Sequence, residues 1–406
     1  MSKNQEQAFQ NQMWLYNCIV YLINQKLETN LMTQNNTEKF HFFHLLPSLA
    51  GGGAETVALT YHRALLKKNY KSTILLLRNK IDYDIEDVKD SVIVLSKRVH
   101  ITYIKQLDEF ILAKRIEKIA SQSSGIPVII ASLEASYNVS KHIRRFFVIN
   151  VIQNSLQEKI TRWETSNPGK AKRHLENFRM TLNNSNVIGS SKGLISDLID
   201  EMGIKPANCE LIYNPIDIDD ILIKSNAFIP EIKGKYILHA ARIHEQKRHD
   251  IMLKAYELVK TPIDLVFLTN EPDELQKLIG THPKKNNIHV FGFQKNYFPW
   301  LKNASLFVLS SQREGLPTVL LNSLACKIPT VSTDCKSGPN EILTGELSNY
   351  LAEVNNPKSL AEKIDLALEK YPEIRSEYLT KFSLNESLTS LIAFCDRLVE
   401  IRKRLK

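Results

Sequence analysis

The sequence predicts an α/β protein made of two successive doubly wound parallel sheets that face each other across a cleft. Three observations lead there. Short apolar, strand-like runs alternate with helix-period segments, which is the pattern of parallel sheet with crossover helices. The alternation starts twice, near residue 40 and again near residue 235, with an Asn-Pro turn between. The chain has 406 residues, too many for one ordinary core and enough for two.

The elements follow in order. Residues 1–38 form an extension rich in Asn, Gln and Thr. Its apolar run 14–23 is far short of the ~20 residues a membrane-spanning helix needs. An extra helix packed on the body is the favoured reading; an interfacial or partner-docking helix is the alternative. Regular structure begins with a strand at 40–46, and further strands are expected at 72–77, 92–95, 127–132, 146–152 and 186–189. Between the first two, apolar residues at 54, 57, 58, 61, 64 and 65 mark one face of a helix. The run Ile212-Tyr213-Asn214-Pro215-Ile216-Asp217 holds the turn signal, since Pro215 biases Asn214 away from helix. The hinge is placed there. The second alternation has strands at 235–240, 263–268, 288–291, 305–310 and 330–332, with a helix over 250–259. The expected division is 1–38 extension, 39–212 first domain, 213–385 second domain and 386–406 final helix. Doubly wound sheets bind ligands outside the carboxyl ends of their strands, so the cleft is the expected site.

Composition narrows the class. Hydrophobic residues make up 43% and charged residues 24%, as in a folded soluble protein. The net charge of +9 favours an anionic contact, without choosing between nucleic acid, membrane surface and phosphorylated substrate; ordinary solvated surface explains it equally well. Cys18, Cys209, Cys326, Cys335 and Cys395 are scattered and show no CxxC pair. That argues against a disulfide framework or zinc site and fits a reducing cytoplasm. No signal-peptide pattern opens the chain.

Three strand-to-helix loops carry candidate chemistry. In Leu49-Ala50-Gly51-Gly52-Gly53-Ala54-Glu55 the glycines allow close backbone approach and unusual dihedrals, and the helix start offers amides to a phosphate. A tight turn is the competing reading. The loop is neither a Walker motif nor GxGxxG. The loop 241–250 brings Arg242 and Lys247, a fork donor and a point cation suited to a diphosphate. In the loop 310–322, Glu314 follows a strand and Pro317 stands near a helix start. The amides around Leu316–Val319 could hold phosphate beside Glu314, and Asn322 lies about one turn into the helix. His239, His244 and His249 lie near the second loop, but their spacing does not make a metal site.

With these residues in place, the chain resembles the retaining glycosyltransferases of family 4, also called group 1. Their GT-B fold sets two Rossmann-like domains facing across a cleft. The matching stretches are Gly51–Glu55, Tyr213–Asp217, Arg242–Asp250, Val290–Phe293 and Glu314–Leu343. The resemblance implies transfer of a hexose or N-acetylhexosamine from a nucleotide-diphosphate sugar, with UDP the expected nucleotide, to a glycan, lipid-linked or protein acceptor. It implies that the first domain binds acceptor and the second donor. Arg242 and Lys247 match the basic pair on the donor diphosphate, and Glu314 the first Glu of a Glu-x7-Glu motif that contacts the donor sugar. Gly52 and Gly53 match the loop closing over the phosphates. Phe291, Gly292 and Phe293 match the stretch beside the nucleobase, and Gly315, Leu316, Pro317 and Thr318 complete the donor loop. No cofactor, metal or nucleic-acid partner is expected.

Two positions depart from the pattern. Asn322 stands where the second Glu usually holds the ribose hydroxyls. Gln153, followed by Asn154 on the acceptor side, stands where many members carry His, and Gln cannot relay a proton as imidazole does. A catalytically degenerate nucleotide-sugar-binding protein is therefore the alternative. A nicotinamide oxidoreductase would need GxGxxG after a strand, which is absent; a sugar-nucleotide epimerase ranks lower still. Arg144-Arg145 and the stretch 170–174, near Trp163, make the first domain locally basic. An anionic membrane could attract such residues at ~1 kcal/mol each, so the expected location is cytoplasmic with peripheral contact on the inner membrane face.

Overall fold

The structure, a computed structural model, describes residues 39–50, 52–96 and 105–404. The extension 1–38 with its apolar run, and Gly51, lie outside the described residues. A seven-stranded, all-parallel sheet holds β1 (Phe40–Leu46), β2 (Lys71–Leu76), β3 (Val92–Val94), β4 (Ile126–Ser132), β5 (Phe147–Ile152), β6 (Asn186–Gly189) and β7 (Asn208–Leu211). Its order is β3-β2-β1-β4-β5-β6-β7. A second, six-stranded parallel sheet holds β8 (Tyr236–Ala240), β9 (Asp264–Leu268), β10 (Ile288–Phe291), β11 (Leu306–Leu309), β12 (Thr330–Thr333) and β13 (Leu351–Ala352), in the order β10-β9-β8-β11-β12-β13. Each sheet switches winding direction at its centre, between β1 and β4 and between β8 and β11, which opens a crevice at the strand ends.

The apolar strands are the buried ones. Phe40, Phe42, Phe43, Leu45 and Leu46 of β1 are all in the core, as a strand covered on both faces requires. The helix predicted at 54–66 runs Gly53–Lys67 and buries Val57, Ala58, Leu65 and their neighbours. The helix predicted at 250–259 runs His249–Leu258. Strands β7 and β13 are absent from the sequence-based expectations. Each is an edge strand, one carrying Asn208 and Glu210, the other two residues long. Such edges lack the continuous apolar run that marks a buried strand.

The final helix Leu384–Arg404 crosses back to the first sheet. It buries Leu388, Leu391, Phe394 and Leu398 in one cluster with Phe40, Phe42, Val128 and Ile149. The two crossings between the sheets run side by side. The Ile216 N–H donates to the Phe382 carbonyl at 2.9 Å, and the Leu384 N–H donates to the Ile216 carbonyl at 3.1 Å.

Candidate active site

The loops leaving β8 and β11 build the centre of the site. After β8 the chain makes a short 3-10 turn, Glu245–Lys247, and Arg248 then takes a left-handed conformation, φ 49 and ψ 51. A non-glycine residue rarely adopts it. Asp250 holds Arg248 there, accepting from Nε at 2.9 Å and from a terminal nitrogen at 2.8 Å. The Ser310 hydroxyl, just past β11, donates to the Lys247 carbonyl at 2.8 Å. These contacts aim the Lys247 side chain at the neighbouring loop. Its Nζ lies 2.6 Å from Glu314 Oε1, and the two side chains are only 19% and 9% exposed. Two residues picked from separate loops thus form one enclosed ion pair.

Arg242 stands on the exposed side of the same loop. Its charge acts across the cleft on Glu55, whose carboxyl is pushed up by burial and drawn partly back by a backbone hydrogen bond and by Arg242. It also acts on His244, held below the usual imidazole range first by burial and then by Arg242, with Arg162 and Lys247 adding to the effect. Cations therefore gather from both lobes around the loop 242–247. His239 and His249 are packed rather than poised: both are buried, their rings lie 4.8 Å apart, and burial pushes His249 down to about 4. Among the described residues no group of three His, Cys, Asp or Glu could hold a metal ion.

The glycine loop does not adopt the unusual dihedrals expected of it at Gly52. Gly52 has φ −138 and ψ 165, ordinary extended backbone that any residue adopts. A Cβ there would lie 2.5 Å from Glu55 Oε2, the end of a flexible side chain that can shift aside. The Tyr83 hydroxyl fixes the loop by donating to the Gly52 carbonyl at 2.8 Å. Gly53, in contrast, opens onto free space.

Around Glu314 the loop splits its roles. Leu316 turns its side chain into the core beside Leu320, so only its backbone faces the loop. Pro317 precedes the helix Thr318–Ala325 and no side chain bonds to that helix start. The Leu320 N–H donates to the Pro317 carbonyl at 3.0 Å, and the Thr318 and Val319 amides ahead of it are available to an anion. Asn322 is engaged: its Nδ2 donates to the Tyr297 hydroxyl at 2.6 Å. Phe291 packs on Trp300 with ring centroids 4.5 Å apart, Gly292 gives its carbonyl to Gln294 Nε2 at 3.1 Å, and Phe293 is 66% exposed. Phe291 and Phe293 therefore face different surroundings, and only Phe293 presents a free ring.

The two lobes touch at Gly315 and Gln153. A Cβ on Gly315 would lie 2.0 Å from the Gln153 carbonyl oxygen. Gln153 is 7% exposed, its Nε2 donates to Asn214 Oδ1 at 3.4 Å, and its Oε1 has no partner among the described residues. Asn154 beside it is exposed. Sequence reasoning missed the residues that hold this contact. Arg313 pairs with Glu158, Arg162 with Glu245, and Lys336 with Asp197 at 2.6 Å and with Glu201, each pair spanning the lobes. Glu341 accepts the Lys192 N–H at 3.0 Å, the Gly193 N–H at 3.3 Å and the Tyr213 hydroxyl at 3.0 Å. These partners are far apart in the chain, so no local pattern announces them. The match Glu314–Leu343 did include Glu341, but without a role.

Two facing parallel sheets, with an ion pair and an open helix start at the strand ends, make up a GT-B fold. Residues 223–383 match the family model described as glycosyl transferases group 1. It is 28% identical over 346 residues to the N-acetylgalactosamine-N,N'-diacetylbacillosaminyl-diphospho-undecaprenol 4-alpha-N-acetylgalactosaminyltransferase of Campylobacter jejuni, covering 82% of this chain and 91% of that one. It is 25% identical over 206 residues to the lipopolysaccharide 1,6-galactosyltransferase of Escherichia coli, covering 46% of this chain and 56% of that one. Among solved structures it is similar to Anabaena Alr3699/HepE in complex with UDP and glucose. There the TM-score is 0.67 at 17% identity, with 89% of this chain and 99% of that chain covered. Among the described residues no helix is long and apolar enough to cross a membrane.

Proposed function

We propose that this glycosyltransferase moves a hexose or N-acetylhexosamine from a UDP-sugar to a glycan, lipid-linked or protein acceptor with retention of configuration and without a metal. The carrying observation is the Lys247 ammonium 2.6 Å from the Glu314 carboxylate, enclosed where β8 and β11 end. In this reading Lys247, with Arg242, meets the diphosphate and stabilises the charge it gains as it leaves, which is electrostatic catalysis at preformed cations. The uncapped helix Thr318–Ala325 adds partial positive charge. Glu314, released from full engagement with Lys247, accepts hydroxyl hydrogens of the donor sugar. Gly52 and Gly53 bring first-lobe backbone over the phosphates, and lobe closure excludes water, whose attack on the donor is the competing reaction. Domain 39–212 binds acceptor, with Gln153 and Asn154 on that side, and 213–385 binds donor.

The Campylobacter relative's name specifies a diphospho-undecaprenol-linked acceptor, which supports a lipid-linked substrate and a cytoplasmic enzyme in peripheral contact with an anionic membrane through Arg144, Arg145 and 170–174. The test is a panel of UDP-sugars with the purified protein, measuring UDP release with and without lipid-linked acceptor and the anomeric configuration of the product. Calorimetric binding of a UDP-sugar with no turnover on any acceptor or on water would instead mark a degenerate binding protein.

The Asn322–Tyr297 contact bears on that alternative, because the amide nitrogen of the side chain placed for ribose donates to a phenol. Asn322→Glu puts an anionic acceptor at the same point, and charge-assisted hydrogen bonds are roughly twice as strong as neutral ones. UDP affinity is expected to rise about tenfold by titration calorimetry, the equivalent of ~1.4 kcal/mol. Equal or weaker binding would remove the ribose assignment at this position.

A further inference from the structure

We propose that a recess at the amino-terminal edge of the first sheet binds a phosphate group carried on an apolar body. The recess is formed by the starts of β1, β4 and β5 together with the final helix, and has a volume of about 570 Å3. It lies at the end of the sheet away from the cleft, roughly 20 Å off along strands of this length. It is therefore separate from the donor site, and the proposal stands independently of the transferase reading.

Residues from both ends of the chain supply its cations. Lys39 precedes the first strand and Arg402 lies near the end of the last helix. The Arg402 guanidinium sits 5.0 Å over the Phe147 ring and donates to the Arg145 carbonyl at 3.4 Å. Arg145 in turn stacks over Phe146 at 5.7 Å. A guanidinium held against a ring keeps its remaining N–H groups aimed outward in a fixed fork, the geometry that matches phosphate oxygens. The nearby carboxylates are already engaged. Asp396 takes Lys39, Glu400 takes Lys403, Glu210 takes Arg397, and Glu117 takes Lys114 with the backbone N–H groups of Arg144 and Arg145. The local balance is positive, and Arg402 and Arg145 are held by rings and a carbonyl rather than by acids. Ser124, whose hydroxyl oxygen accepts from Lys71, keeps its own O–H to donate. Phe146, Phe147 and Pro127 form walls suited to the apolar part of the ligand.

A lipid headgroup and a free organic phosphate share this chemistry, and two probes separate them. The full chain is titrated calorimetrically with phenyl phosphate, and separately co-sedimented with vesicles of phosphatidylcholine containing phosphatidylglycerol. The proteins are wild type, Arg402→Gln, the double variant Lys39→Gln/Arg402→Gln, and Lys247→Ala as a control for phosphate in the cleft. Melting temperatures check that the substitutions leave the fold intact, since Lys39→Gln also removes the ion pair with Asp396. We expect one-to-one binding that Lys247→Ala retains and that Arg402→Gln weakens tenfold or more, falling with added salt. Binding of phenyl phosphate alone assigns a soluble ligand; vesicle binding that Arg402→Gln abolishes assigns a headgroup. No binding of either probe, or binding the double variant leaves unchanged, overturns the proposal. So does binding that only Lys247→Ala abolishes.

Discussion

Lys247→Ala is expected to lower turnover by two to three orders of magnitude, the effect of removing one preformed charge from a developing anion. Lys247 is held on three sides: by the left-handed turn at Arg248, by the Ser310 hydroxyl on its carbonyl, and by Glu314 at 2.6 Å. The same substitution strands the Glu314 carboxylate, which is 9% exposed, at a cost of up to ~3 kcal/mol in stability. Those two effects are separable. In the double variant Lys247→Ala/Glu314→Gln the carboxylate is neutral, so the melting temperature should recover while turnover stays low. Near-normal turnover in either variant would remove Lys247 from the chemistry.

Gly315→Ala should lower kcat/KM about a hundredfold through geometry alone. The new methyl would sit 2.0 Å from the Gln153 carbonyl oxygen and 2.8 Å from its carbon. Both atoms are backbone and cannot swing aside, so the lobes must separate by about an ångström, a misplacement that can cost 10²-fold in a preorganised site. The clash lies between the lobes rather than inside either core, so melting should change far less than activity. Small-angle scattering should show a more open particle. Wild-type activity in Gly315→Ala would mean that this contact is not part of the working conformation.

Much of the scaffold was legible along the chain. The runs at 40–46 and 235–240 are apolar because their strands are covered on both faces, and the helix at 54–66 repeats its apolar residues at helical spacing because only one face is buried. Glu314 and Lys247 were legible as candidates because strand-to-helix loops at a switch point are where such sheets expose chemistry. The dihedral at Gly52 was not legible from composition alone: its φ is ordinary, and a Cβ there would meet only the movable end of the Glu55 side chain. The edge strands β7 and β13 gave too little apolar signal to be found.

The sequence by itself determined the two sheets, the turn between them and the residue types on each loop, because burial periodicity and turn chemistry act over a few neighbouring residues. Only the tertiary structure decided which of those residues meet. The Lys247–Glu314 pair, the Asn322–Tyr297 contact, the seat of Gly315 on Gln153 and the hold of Glu341 on the Gly193 amide join positions 25 to 162 residues apart. Such contacts follow from how two finished sheets dock, and no local pattern of side chains encodes that.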